Sequence, residues 1–284
     1  MTATASLLVA RASWAQAVGV DAPYVATPWS VADAMLQLAK VGPDDYVIDL
    51  GSGDGRIVIA AAKKHGARGL GVDIDGALVA AAQAEAGRQG VAGRVEFREQ
   101  NLHLTDIGRA TVLTLYLFQR MLLELRPRLL AELRPGTRVV SHDFDMEKWQ
   151  PDARVTVPVP DKPYGPPRSE VYLWIVPANA AGAWRWRAIV AGTPLDYEVE
   201  LTQTFQMLAG RALVGGRAAP VESGRMRGEE IRLVLTGEVN GRPVRHEFNG
   251  RVSGDAVAGK AKLASGEALD WNATRVRRGK IEQR

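Results

Sequence analysis

Asp49-Leu50-Gly51-Ser52-Gly53-Asp54-Gly55 is the stretch of this chain whose residue types and spacing bear most directly on chemistry. An apolar run, Tyr46 to Leu50, reads as a short buried strand, and Ile57 to Lys64 reads as a helix. Glycines spaced two apart between them let backbone N–H groups come close to a ligand at the positive end of that helix. The spacing also restricts the ligand. A dinucleotide turn, G-x-G-x-x-G, would place its third glycine at position 56, which is Arg56. A P-loop needs G-K-[ST] after four intervening residues, and no lysine stands there. What is present is acidic-x-G-x-G-x-G, and the next apolar run, Ala67 to Asp73, ends on a second carboxylate.

Asp49, the glycine triplet and Asp73 together resemble the first motifs of the seven-strand S-adenosylmethionine (SAM) methyltransferases. The resemblance implies SAM as cofactor, with Asp49, Gly51, Ser52, Gly53 and Gly55 forming its turn and Asp73 taking the ribose hydroxyls. Three further stretches narrow the family: Pro23-Tyr24-Val25-Ala26-Thr27-Pro28, Leu113-Thr114-Leu115-Tyr116-Leu117, and Gly136-Thr137-Arg138-Val139-Val140-Ser141-His142-Asp143-Phe144. With Trp149 and Pro151-Asp152, they are similar to the archaeal and mitochondrial protein-lysine methyltransferases over Asp21 to Ala178. Where that family has Gly-Asp after the third strand, with the Asp facing adenine, this chain has Gln100-Asn101, so the adenine contact is expected from Asn101. Ala26 replaces a second proline of the family's lead-in. The lead-in, with Tyr24 and Thr27, is expected to act as a lid over the methionine end of the cofactor; a packed lead-in is the plainer reading.

The fourth strand runs into Leu-Tyr-Leu-Phe, not the Asn/Asp-Pro-Pro-Tyr motif of enzymes that methylate bases and glutamine. An amide or base nitrogen needs an acceptor to free its lone pair. A lysine amine needs only deprotonation, desolvation and alignment with the sulfonium methyl. The resemblance therefore implies methyl transfer to an amine, a lysine in a protein, with Tyr24, Tyr116 and Phe118 lining an aromatic channel that attracts ammonium groups. Asp143 is expected to orient the amine or receive its proton. Core packing for Tyr116 and Phe118, and a cap or loop bond for His142 and Asp143, are the plainer readings. Two other functions stay open: a small-molecule amine as acceptor, and a ligand-binding protein in which the C-terminal part does the work.

The rest of the sequence bounds these readings. At 284 residues the chain exceeds one typical domain, and 46% hydrophobic with 24% charged residues marks an ordinary globular protein. No window reaches the roughly 18 apolar residues of a membrane span. The absence of cysteine excludes disulfides, thiolate metal sites and Cys nucleophiles. The four histidines (His65, His103, His142, His246) show no metal-ligand spacing and are expected on the surface or in loops, and no metal is expected. Net charge is +4, with the excess lying beyond Ala181. A weakly basic second half would favour an acidic partner, a solvated surface is the plainer reading, and no nucleic-acid partner is expected. Residues 1–20 read as a tail or a degenerate export signal: Ala15-Gln16-Ala17 looks like a cleavage site, but no positive charge precedes the apolar run. A cytoplasmic location is expected, with export left open.

The elements predicted to position the site alternate. Ser30 and Asp33 suggest a capping box before a helix striped by Val31, Met35 and Leu38. Gly76 to Gly87 reads as a helix, Arg94 to Gln100 and Thr111 to Leu117 as strands, and Leu122 to Leu133 as a helix that Pro127 should interrupt or restart. Thr137 to Asp143 reads as a fifth strand, and Ala153–Val159 with Glu170–Val176 as an antiparallel hairpin across a proline-rich loop. Together with the resemblance, this gives an α/β fold over 21–178, a Rossmann-like seven-stranded sheet with one antiparallel strand. From 181 to 284 helical periodicity gives way to short alternating runs, a second, all-β antiparallel domain in the form of a barrel or sandwich. Seven strands are expected there, with turns at Val239-Asn240-Gly241, Phe248-Asn249-Gly250 and Ser253-Gly254-Asp255. Tryptophans on its first and last strands suggest closure, and Gln203 and Gln206 suggest structural bonds.

Overall fold

The computed structural model describes residues 24–283 apart from 164, 191, 264, 265 and 267; the signal-like segment 1–20 lies outside the described residues. The first sheet has seven strands: β1 (Tyr46–Leu50), β2 (Arg68–Asp73), β3 (Val95–Glu99), β4 (Val112–Leu115), β5 (Arg138–His142), β6 (Ala153–Pro158) and β7 (Arg168–Ile175), in the order β3-β2-β1-β4-β5-β7-β6. The first five are parallel, and β7 runs antiparallel to both β5 and β6. Helices α1 (Trp29–Leu38), α2 (Arg56–His65), α3 (Gly76–Arg88) and α4 (Gln119–Glu132) connect or flank the strands. All of β4 and most of β1 are buried, as a parallel sheet covered on both faces requires. Strand order reverses between β1 and β4, which opens a crevice at their carboxyl ends.

Two local expectations for this part change. The Ser30–Asp33 capping box is absent: α1 starts at Trp29 behind Pro28, whose carbonyl accepts the Val31 and Ala32 N–H groups, and Asp33 pairs with Lys64 instead. Proline's fixed φ presets the entry to the helix without a side-chain cap. Pro127 does not interrupt α4. It lies on the exposed face, where water can take up the carbonyl bond it leaves open, while Met121, Leu122, Leu125 and Leu129 are buried along the opposite stripe.

The second sheet is a closed barrel of eight antiparallel strands: β8 (Gly182–Val190), β9 (Thr193–Thr204), β10 (Met207–Val214), β11 (Arg217–Arg227), β12 (Glu230–Val239), β13 (Arg242–Ser253), β14 (Ala256–Leu263) and β15 (Ala268–Arg278). Each pairs with the next, and β15 closes on β8, so no edge is left except where the short β16 (Ile281–Glu282) lies beside β9. Tryptophans meet at that closure, with the Trp186 and Trp271 rings 5.8 Å apart. The Arg275 guanidinium lies 4.4 Å from the Trp184 ring centre and donates to the Asn179 and Gly254 carbonyls, sealing one end. The barrel holds one strand more than the seven expected. β11 carries Pro220 and Gly224 and is bulged against β12, so its sequence shows no alternation. Phe248-Asn249-Gly250 is not a turn but the middle of β13. Gly250 is needed there because a Cβ would stand 2.8 Å from the Ala258 carbonyl and 3.0 Å from the Trp271 ring.

The barrel is fastened to the first sheet by the hairpin between β9 and β10. Phe205, at its tip, is buried in the core of the first sheet, stacked 5.9 Å from Trp149 with the rings nearly parallel. The Arg126 guanidinium lies 5.1 Å from the Phe205 ring centre. Gln203 accepts the Ala180 N–H and donates to the Ala178 and Phe205 carbonyls, and Gln206 donates to the Gln150 carbonyl, so both glutamines are structural. No helix among the described residues is long and apolar enough to cross a membrane. Removing the buried ring should be costly: Phe205→Ala is expected to lower unfolding free energy in urea by about 3–5 kcal/mol. A loss below about 1 kcal/mol would show that this contact does not fasten the barrel.

Candidate functional site

A cavity of about 420 Å³ opens at the carboxyl ends of β1, β2 and β4. Its floor is the turn from β1 into α2. Gly51, Gly53 and Gly55 have φ of 81°, 51° and 76°, in the left-handed region that glycine enters without strain. Close packing adds a second requirement. A Cβ on Gly53 would stand 2.3 Å from the Tyr24 ring, and one on Gly55 would stand 2.6 Å from the Phe97 ring.

Three carboxylates meet at this floor: Asp49, Asp54 and Asp73. Asp73 ties the end of β2 to the turn, accepting the Gly53 N–H at 2.8 Å on Oδ2 and the Asp75 N–H at 3.0 Å on Oδ1. Asp49 is buried, and its Oδ1 accepts the Thr114 hydroxyl at 2.7 Å. Burial pushes the Asp49 carboxyl up to about 7, against the Thr114 bond and with help from the charges of Asp73 and Asp54. For Asp54 burial also opposes the charge, yet the bonds from Arg56 outweigh it and hold the carboxyl below its ordinary range.

Arg56 closes the cavity. Its Nε and Nη2 donate to Asp54 at 2.9 and 2.5 Å, its Nη1 donates to the Thr27 carbonyl at 2.7 Å, and its guanidinium lies 5.1 Å from the Trp29 ring centre. The segment 24–29 is thereby held over the glycine turn, with Tyr24, Ala26 and Thr27 on the cavity wall. Burial raises the Tyr24 pKa above its ordinary value, and the Asp54 charge adds to that.

The structure brings most of the sequence-derived candidates to this one wall: Tyr24, Thr27, Asp49, Gly51, Ser52, Gly53, Asp73, Asn101 and Tyr116. The Asn101 side-chain Oδ1 accepts the His103 N–H at 2.8 Å, capping the short turn Leu102–Leu104, and keeps one lone pair for a ligand. Three candidates stand elsewhere. Gly55 caps α2 behind the wall. Phe118 is half exposed, edge-on to Phe144 at 5.9 Å. Asp143 accepts from Lys162 Nζ at 2.6 Å and from the Glu170 N–H at 3.0 Å, off the cavity wall. Two histidines expected at the surface or in loops, His142 and His246, are fully buried, the first beside Tyr116 and the second among the barrel's aromatic rings. Sequence reasoning also missed Arg56 as a clamp; its only sequence signal was that it stands where a dinucleotide turn would have glycine.

This donor set fits SAM. Its ammonium and sulfonium cations suit a cavity lined by four aspartates, Asp49, Asp54, Asp73 and Asp75, and one arginine that is already paired. Ser52 lines the cavity, and its buried Oγ has no hydrogen-bond partner among the described residues. Among the described residues no group of His, Asp or Glu is placed to hold a metal ion.

Comparison with known proteins agrees. Residues 49–153 match the ANTKMT methyltransferase domain. A protein-lysine N-methyltransferase of Saccharolobus islandicus (strain REY15A) is 42% identical over 155 residues, which are 54% of this chain and 93% of that protein. The chain belongs to this methyltransferase family. The mouse adenine nucleotide translocase lysine N-methyltransferase is 33% identical over 136 residues, 48% of this chain and 59% of that protein, so the chain spans little more than half of that relative. The crystal structure of an RNA methyltransferase from Salinibacter ruber in complex with S-adenosyl-L-homocysteine is 51% identical, with a TM-score of 0.49, covering 54% of this chain and 94% of that one. The family match ends at residue 153, before the barrel. SAM is the cofactor of the methyltransferase family.

The raised pKa of Asp49 makes a testable statement about this methyltransferase. The folded protein holds a proton on Asp49 that the unfolded chain, with an ordinary carboxylate near 3.8, has lost. That contribution to stability is complete below about pH 4 and disappears as pH rises through about 7. Asp49→Asn should therefore be more stable than the cofactor-free wild type at about pH 8, with the difference shrinking toward about pH 5 in urea unfolding. Equal pH dependence in the two proteins would contradict the assignment.

Proposed function

We propose that this methyltransferase transfers the methyl group of SAM to the ε-amine of a lysine in a protein. The reading rests above all on the position after β4. Tyr116 stands on the cavity wall there, with no carboxamide or carboxylate of the kind that amide and base nitrogens require. The names of the relatives support the same acceptor. On this reading Asp73 takes the ribose hydroxyls, Asn101 faces the adenine, and Asp49, Gly51, Ser52, Gly53 and Thr27 surround the methionine portion. Gly55 serves by shaping the turn.

When bound, SAM supplies an electrophilic methyl group on a sulfonium. Transfer forms a nitrogen–carbon bond and breaks the carbon–sulfur bond, whose electron pair stays on sulfur, and the surplus proton of the product amine passes to water. The carboxylates of Asp49, Asp54 and Asp73 hold the cationic cofactor, and the rings of Tyr24 and Tyr116 guide the amine and exclude water from its path. Asp143 works from outside this channel: through Lys162, which also donates to the Arg168 carbonyl, it fixes the loop before β7 against the end of β5. We assign the methyltransferase domain to 21–178 and an all-β domain to 181–284, with 1–20 outside both. A cytoplasmic setting, where SAM is made, follows from the reading.

Incubating the protein and methyl-tritiated SAM with cell lysate tests the acceptor. Acid hydrolysis of the labelled fraction is expected to release methyl-lysine; label confined to nucleic acid or to small molecules would overturn the reading. Tyr116→Ala should lower kcat by about tenfold or more while leaving the SAM Kd within about threefold, and Tyr116→Phe should keep most of the rate. Wild-type turnover by Tyr116→Ala would remove the ring from the channel.

A further inference from the structure

We infer that His142 is a positioning residue for methyl transfer, fixing the Tyr116 ring and turning the Thr27 hydroxyl oxygen toward the incoming amine as an acceptor. The inference rests on the reading of the cavity as an amine methyltransferase site.

Strand register brings the parts together. The last pair between β4 and β5 is Leu115 with Ser141, so Tyr116 and His142 are the next pair outward on the two parallel chains. Their rings stack with centroids 3.8 Å apart at 29°. The imidazole also meets two further segments. Nδ1 lies 3.3 Å from Thr27 Oγ1 in the lead-in, and Nε2 lies 2.9 Å from Ser169 Oγ on β7. One fully buried ring thus joins two residues of the cavity wall, Thr27 and Tyr116, to the sheet behind them. Packing alone does not call for histidine here. An apolar aromatic would fill the same space, but it would leave both hydroxyls without their ring partner.

The protonation state decides which way those hydroxyls point. Burial pushes His142 down to about 4, so the ring is neutral at physiological pH and carries one proton. The Asp143 carboxylate, 3.4 Å from Nε2, favours the proton on that nitrogen, from which it is donated to Ser169. Nδ1 then accepts the Thr27 O–H. This tautomer is assigned from the bonding network. With its proton committed to His142, the Thr27 oxygen can offer only lone pairs to the cavity. A neutral lysine amine donating one N–H to that oxygen has its own lone pair directed by the contact, which is the alignment that in-line transfer needs.

A double-mutant cycle on the full chain tests this, reading kcat, the acceptor KM and the SAM Kd for His142→Phe, Thr27→Val and the double variant. Each single change should lower kcat by about tenfold, His142→Phe with SAM Kd within about threefold, and the double should be no slower than the slower single, because both remove one device. His142→Asn, whose side-chain carbonyl can accept from Thr27 near the Nδ1 position, should recover part of the rate lost in His142→Phe. A purely structural role predicts no such recovery from the smaller residue. Multiplying effects in the double variant, or wild-type kcat in either single, would overturn the inference. If His142→Phe fails to fold, Thr27→Val alone decides it, since wild-type kcat there shows that no Thr27 acceptor is turned toward the amine and overturns the inference. Wild-type label on an acceptor other than lysine would defeat the proposed function but not this inference, because the cycle can be run on that acceptor.

Discussion

The pairing of Arg56 with Asp54 is the interaction on which the cavity depends. It costs the desolvation of two charges, and the geometry returns it through several bonds at 2.5–3.1 Å. Its importance lies less in the pair than in what the guanidinium does with its remaining donor. By bonding the Thr27 carbonyl and lying against Trp29, Arg56 turns an extended segment into a wall of the cavity. That clamp holds the segment that lays Tyr24 on Gly53 and sets Thr27 beside His142. The glycines answer the same constraint from the other side, since a Cβ on Gly53 would displace the Tyr24 ring.

The charges at the cavity floor follow one logic. Asp49, Asp54 and Asp73 crowd together, and burial first, with the neighbouring charges adding to it, drives Asp49 to hold its proton until about pH 7. A ligand carrying positive charge relieves that crowding, so the same arrangement that lowers the stability of the cofactor-free protein favours the cation it binds. His142 next door is the opposite case. It is buried without a need for charge, and its use lies in its two differently partnered nitrogens.

Much of this was legible in the sequence because the informative features are local. The turn from Asp49 to Gly55, Asp73 at the next strand end and the alternation of strands and helices each fit within a short window, and the sheet order came with the family resemblance. The missed features depend on long-range contacts. Arg56 reads as the failure of a dinucleotide motif until Thr27 and Trp29 are seen beside it. His142 reads as a loop histidine until register sets it against Tyr116. Asp143 is one residue further along and, with φ of 63°, turns to Lys162 instead of the cavity. In the barrel, Gly250 signalled a turn when its real cause was the approach of Trp271, and β11 hid because a bulge and a proline erased its alternation. Pro127 shows that burial of one helical stripe can override a strong local signal.

The crevice above β1, β2 and β4 is a SAM site closed by the clamped lead-in. Calorimetric titration of SAM into the full-length protein and into Asp73→Ala tests it most directly. Micromolar binding by the wild type and its loss in the variant are expected, because Asp73 holds the Gly53 N–H and is the residue proposed to take the ribose hydroxyls. Absence of binding by the folded wild type would contradict it and leave the barrel as the part of the chain that acts.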